Sequence, residues 1–262
     1  MNLFILNLTN LPIFVEISKT MVVSKAEIKR IKSLGQKKFR DEMGLFVVEG
    51  EKMGAEALDS DFEVLEVYKR DEIGPEAMER MSLLSSPSPV LAVVRQKPQL
   101  SKEDMKEAIS QGMLALGLDS VRDPGNLGTI IRLADWFGFD AVFASFDTVD
   151  LYNPKVVQST MGAIFRKKLI YCDLADVCDM FSLSGMKVYG TFLDGENIYE
   201  KALENKGLVI MGNESVGISD SIAAKVSEKL LIPSFAEGPT AESLNVAIAT
   251  AVTASEFRRR KF

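Results

Sequence analysis

From Met113 onward, five short strand-like segments alternate with five amphipathic ones. The strand-like segments are Leu114–Leu118, Ala141–Ala144, Lys187–Thr191, Gly207–Met211 and Lys229–Ile232. Short, nearly continuous apolar runs suit strands buried on both faces. Between them, Asn126–Trp136, Pro154–Thr160, Ala175–Leu183, Ser219–Lys225 and Ser243–Phe257 read as helices. Such alternation predicts an α/β fold, a parallel sheet with helices on both faces. Ligands of such folds bind beyond the carboxyl ends of the strands.

Three polar or glycine-bearing blocks fall at those ends. The first runs from Asp119 to Arg132. Its Asp123-Pro124-Gly125-Asn126 is turn chemistry, with Asn126 a candidate helix cap. Arg132 falls within the first two helical turns, where its guanidinium can turn back toward the strand ends. A solvated surface arginine fits the same spacing. The second block, Gly212-Asn213-Glu214-Ser215-Val216-Gly217, lets backbone approach a ligand closely. It is neither a dinucleotide fingerprint nor a P-loop, and a plain strand-to-helix turn capped by Ser219 explains it equally. The third, Ser243-Leu244-Asn245-Val246-Ala247-Ile248-Ala249, opens an alanine-rich helix. Ser243 reads as its cap, with Asn245 in the first turn near the positive helix end. A capped, buried helix accounts for the same residues.

Residues 1–20 read as an extension outside the patterned sequence, which starts at Met21. They are apolar but lack a basic start and carry Pro12, unlike a signal peptide. Residues 21–97 read as a small α/β domain. It has helices at Lys25–Leu34, Met53–Leu58 and Pro75–Leu83, and strands at Phe46–Gly50, Val64–Tyr68 and Val90–Val94. Residues 98–112 read as a linker with one short helix, and 113–262 as the second domain. No apolar run reaches the roughly 18–20 residues of a membrane span.

The chain has no histidine and two cysteines, Cys172 and Cys178. A zinc site is not expected, Ser-His-Asp catalysis is excluded, and the thiols suit a reducing cytoplasm. Chemistry must run on Arg, Asn, Glu, Ser or backbone groups. The net charge is −6, yet Lys25, Lys29, Arg30, Lys32, Lys37, Lys38 and Arg40 face one acid, Glu27, between Ser24 and Arg40. Arg258-Arg259-Arg260-Lys261 nearly ends the chain. Local charge of this kind attracts anions despite the acidic total.

In order and spacing, the three blocks resemble the motifs of the SpoU (TrmH-like) family of RNA ribose 2'-O-methyltransferases, in the SPOUT class. The segment from Ile31-Lys32-Ser33-Leu34 to Phe46-Val47-Val48-Glu49-Gly50 also resembles that family's ribosomal-protein-like substrate-binding domain. The resemblance implies a C-terminal domain with a deep trefoil knot, a homodimer sharing active-site residues, and S-adenosylmethionine as cofactor, without metal. By motif position, it implies cofactor contacts from Gly190, Thr191, Gly212, Asn213, Ile232 and Leu244. It implies catalytic roles for Arg132, Asn126, Glu214, Ser243 and Asn245, with structured RNA, ribosomal rather than transfer RNA, on the N-terminal basic residues. A tRNA 2'-O-methyltransferase, a base-methylating SPOUT enzyme and a non-catalytic RNA-binding ribosome-assembly factor on the same fold remain the alternatives. The loop Ser234–Glu242 looks longer than the family's compact form.

Overall fold

The computed structural model describes residues 22–238 and 241–259. The readings of residues 1–20, Pro239 and Arg260-Lys261 lie outside them. The N-terminal unit opens with α1 (Lys25–Ser33), capped by the Ser24 hydroxyl, and α2 (Lys37–Met43). Then come β1 (Leu45–Glu49), α3 (Glu51–Leu58), β2 (Val64–Lys69), α4 (Arg70–Ile73), α5 (Pro75–Met81) and β3 (Val90–Arg95). The strands form an antiparallel sheet, order β1-β3-β2. The apolar run at Val90 is therefore its central strand, buried from Leu91 to Val94. Sequence patterning misses α2, whose polar residues leave little apolar periodicity, and the one-turn α4.

The segment read as a linker holds its expected short helix, α6 (Lys102–Ser110), closed by a Ser101/Asp104 capping box. It buries Met105 and Ile109 in the core of the second sheet. Gln99 also accepts from the Tyr171 backbone N–H at 2.9 Å, so even the short connection is tied to the sheet's edge strand.

The second sheet uses β4 (Leu114–Leu118), α7 (Pro124–Trp136), β5 (Ala141–Ala144), α8 (Pro154–Thr160), β6 (Leu169–Tyr171) and α9 (Leu174–Leu183). It is completed by β7 (Val188–Asn197), β8 (Gly207–Met211), α10 (Asp220–Ala223), β9 (Glu228–Leu231) and α11 (Val246–Arg259). Six parallel strands lie in the order β6-β5-β4-β8-β7-β9. Strand order reverses between β4 and β8, which opens the ligand crevice of doubly wound sheets there. β6 escapes sequence patterning, because Leu169-Ile170-Tyr171 is too short to show a period. β7 runs past the anticipated Thr191. Both Thr191 and Glu196 pair with Leu230, and the chain between them bulges out. A Cβ at Gly195 would lie 2.5 Å from the Leu230 carbonyl carbon, so this bulge hugs β9 too closely for any side chain.

Candidate active site

The three blocks come together at the carboxyl edge of the sheet, beyond β4, β8 and β9. Two anticipated caps move. Asp123, not Asn126, caps α7, accepting from the Asn126 backbone N–H at 2.8 Å. Asn245, not Ser243, caps α11: its Oδ1 accepts from Ala247 N at 2.9 Å and Ile248 N at 3.3 Å. Ser243 sits two residues ahead of this cap, exposed.

Both shifts free side chains for a relay. Asn245 Nδ2 donates to Asn126 Oδ1 at 3.0 Å, and Asn126 Nδ2 donates to Glu214 Oε1 at 2.8 Å. An ionised carboxylate only accepts, and the cap commits the Asn245 oxygen to backbone donors. Both ends therefore fix which way the Asn126 amide points. One residue from each block contributes.

Further bonds stitch blocks one and two. Asp119, buried at the end of β4, accepts from Ser219 N at 2.7 Å. Asn213 Nδ2 donates to the Ser120 carbonyl at 2.7 Å, while its Oδ1 accepts from Ser215 N and Val216 N. Ser120 holds a left-handed φ of 63°, uncommon for a residue with a side chain. Its N–H donates to Ser145 Oγ at 2.8 Å and its hydroxyl to Asp147. The Ser120 and Ser145 hydroxyls, with Arg122, lower the Asp147 carboxyl to about 2. Sequence reasoning assigns no role to Asp119 or Asp147. An acid placed directly after the apolar strand Leu114–Leu118 is the available signal for Asp119.

The glycine at 212 has a different reason from the one expected. A Cβ there would fall 2.3 Å from the Gly217 carbonyl carbon and 2.4 Å from Ile218 N. The loop closes on itself through reciprocal Asn213–Gly217 backbone bonds. Likewise, a Cβ at Gly190 would collide with the Phe192 and Val226 side chains. Gly190 pairs with Ile210 and Thr191 with Leu230, so Gly190, Thr191, Gly212 and Ile232 lie at adjacent strand ends. Val216, Leu244 and Ile248 leave apolar side chains exposed in blocks two and three.

Arg132 stands apart. Six residues along a helix rotate it about 240° from Asn126. It is exposed, and makes no hydrogen bond or ion pair among the described residues. Trp136, one turn further, is 84% exposed.

The basic N-terminal residues divide. Lys25, Lys29, Lys32, Lys37 and Lys38 are exposed. Lys32 Nζ donates to the Ser82 carbonyl, and Arg30 pairs with Glu66 at 2.5 Å. Arg40 is a correction: it is 2% exposed, with its guanidinium on Asp150 at 2.6 Å and the Leu34 carbonyl at 2.9 Å. A group so enclosed cannot meet RNA phosphate. Arg258 likewise serves structure, donating to the Phe137 carbonyl at 2.6 Å. Among the described residues no acidic or thiol cluster could hold a metal, and no helix is long and apolar enough to cross a membrane.

This arrangement, a doubly wound sheet with three polar blocks meeting at its carboxyl edge, is the ligand-binding edge of an α/β protein. The SpoU rRNA methylase family model matches residues 113–255, and an MRM3-like substrate-binding domain model matches 25–104. The chain is 31% identical to the 23S rRNA (guanosine(2553)-2'-O)-methyltransferase RlmP of Bacillus subtilis, over 88% of this chain and 96% of that one. It is similar to a Porphyromonas gingivalis structure described as a TrmH-family RNA methyltransferase (35% identity, TM-score 0.81, 92% of this chain and all of that one). It is also similar to the AdoMet-bound rRNA methyltransferase of Sinorhizobium meliloti (28% identity, TM-score 0.82, 92% and 98% covered). The chain belongs to the SpoU rRNA methylase family.

Proposed function

We propose that this protein transfers a methyl group from S-adenosylmethionine to a ribose 2'-hydroxyl of ribosomal RNA. The observation that carries this reading is the Asn245–Asn126–Glu214 relay, which joins all three blocks at one sheet edge.

The residues fit the cofactor. Adjacent strand ends at Gly190, Thr191, Gly212 and Ile232 offer backbone groups, and the half-exposed Leu244 offers apolar surface for an adenine. Asn213 shapes the loop of block two from within. When bound, S-adenosylmethionine supplies a sulfonium methyl open to an oxygen nucleophile. The protein must then align the hydroxyl and handle its proton. Glu214, held by Asn126, retains a second carboxylate oxygen and is placed to take that proton. Arg132, whose guanidinium holds its proton, is a poor base but a good stabiliser of a developing alkoxide. Ser243 and Asn245 hold the reacting groups.

The working unit is a homodimer. Arg132 is exposed and bonds to none of the described residues of its own chain, and Trp136 one turn further is exposed, which supports delivery of Arg132 to a partner's site. The exposed lysines of α1 and α2 suit RNA phosphates, which position RNA without reading its sequence. RlmP of Bacillus subtilis acts on a guanosine of 23S rRNA, so a guanosine of large-subunit RNA is the favoured target. Cytoplasmic action follows from that substrate.

Labelled S-adenosylmethionine and total RNA from a strain lacking the protein test the reading. One new 2'-O-methyl site in large-subunit RNA is expected. A transfer-RNA site would overturn the substrate, and a base-methyl product would overturn the chemistry.

A further inference from the structure

Two aromatic side chains stand together at the carboxyl edge of the large sheet. Phe235, four residues past β9, is 82% exposed; Tyr199, two residues past β7, is 39% exposed. Their ring centroids lie 6.4 Å apart with planes inclined by 32°. The two segments are bound side by side, because Ile198 N donates to the Leu231 carbonyl at 2.9 Å. Local turns set each ring: Tyr199 N donates to Asn197 Oδ1 at 3.1 Å, and Ala236 N to Ser234 Oγ at 3.3 Å. A lone exposed apolar residue is ordinary, but two neighbouring exposed rings at the rim of a site offer aromatic faces to a ligand.

The surroundings select what stacks there. Glu200 and Glu237, both exposed, flank the rings in sequence. They repel phosphate and leave the uncharged face of a base as the fitting group. Two strand spacings, about 10 Å, separate the ends of β8 and β9, the scale of a single nucleotide. A 2'-hydroxyl can reach the relay only if its nucleotide is splayed from its neighbours. Such a base loses its stacking partners and needs an aromatic replacement.

We propose that Tyr199 and Phe235 form the platform on which the base of the target nucleotide stacks while its ribose is methylated. This rests on the RNA methyl-transfer reading above. The rings act through binding and orientation of the substrate and leave the cofactor untouched.

The test uses the full-length protein, its wild-type rRNA substrate and labelled S-adenosylmethionine. Phe235→Ala should lower kcat/KM for RNA about tenfold to a hundredfold, the range expected for loss of one base–aromatic stack. Cofactor affinity by calorimetry should stay the same. Phe235→Tyr should stay near wild type, whereas Phe235→Leu, apolar but without a π-face, should behave like alanine. Because the side chain is exposed, none of these changes reaches the core. Unchanged RNA kinetics in Phe235→Ala, or wild-type kinetics in Phe235→Leu, would overturn the platform. So would cofactor affinity falling in step with activity, which would put the ring over the cofactor. A wild-type protein that methylates no RNA would sink the underlying reading itself, a result visible before any variant is compared.

Discussion

Asn245 does two jobs with one amide, and they can be separated. Its oxygen caps α11 and its nitrogen feeds the relay to Asn126. Asn245→Ala should lose both, with a cap cost of about 1 kcal/mol and a large drop in methyl transfer. Asn245→Asp keeps the cap, since aspartate also accepts, but cannot donate to Asn126. Its melting temperature should stay near wild type while transfer falls as far as in the alanine variant. Equal activity in Asn245→Asp and wild type would remove the relay from the reaction. Arg132→Ala should abolish transfer and leave S-adenosylmethionine binding intact, as isothermal titration would report. The proposed delivery of Arg132 to the partner's site in a homodimer gives a sharper expectation. Mixing Arg132→Ala with Asn245→Asp should restore part of the activity, because one site of each mixed dimer then has both groups. If Arg132 served its own chain, no site in the mixture would be whole and activity would stay absent.

At the scale of elements, the existence and order of most strands and helices of the second domain are legible from alternation alone. β4, β5, β8 and α8 begin and end where patterning places them. Apolar runs bounded by turn residues leave little freedom there. What fails is short or shared. β6 has three residues, α2 is too polar to show a buried stripe, and the caps of α7 and α11 move because Asp123 and Asn245 compete with neighbours of the same chemistry. The joining of the three blocks is legible only through the family resemblance, since their hydrogen bonds span 88 and 119 residues. The charge of α1 and α2 is legible but not its use. Reversing Lys25, Lys29, Lys37 and Lys38 should weaken RNA binding and flatten its salt dependence by somewhat under one log unit for each phosphate no longer neutralised; an unaltered slope would place the RNA elsewhere. The turn after β4 makes a pH prediction. Asp147 is held near 2, below its ordinary 3.8, by the Ser120 and Ser145 hydroxyls and Arg122. A lowered carboxyl stabilises the fold above its unfolded value, and that contribution is lost as pH falls from about 4 through about 2. Thermal melts from about pH 5 to 2.5 should therefore fall further for wild type than for Asp147→Asn. Parallel curves would mean that Asp147 does not hold the strained Ser120 turn.

Across the whole molecule, the two domains share a core. Phe46, Val48, Met53, Ala92 and Val94 of the first domain belong to the same buried cluster as Leu116, Ile130, Val156 and Tyr189 of the second. Phe46 packs on Tyr152 at 4.6 Å and Phe62 on Phe165 at 5.3 Å between ring centroids. Across this seam, Arg40 reaches Asp150 with both partners largely out of water, and Arg166 spans Glu56 of α3 and Asp135 of α7. The exposed lysines of α1 and α2 are thereby held on the same frame as the relay. Removing one member of a buried ion pair leaves an uncompensated charge, so Arg40→Met should cost about 3–5 kcal/mol. Replacing both, Arg40→Met with Asp150→Leu, should recover most of that loss, because a well-packed apolar pair is often neutral or better. Denaturant unfolding followed by near-ultraviolet and by far-ultraviolet circular dichroism would measure both. With a shared core, the two probes should report one coincident transition in the wild type. A seam that only touched would give two transitions and a cost under about 1 kcal/mol for Arg40→Met, as exposed pairs do, and the first domain would then swing freely over the site rather than deliver RNA to it at a fixed distance.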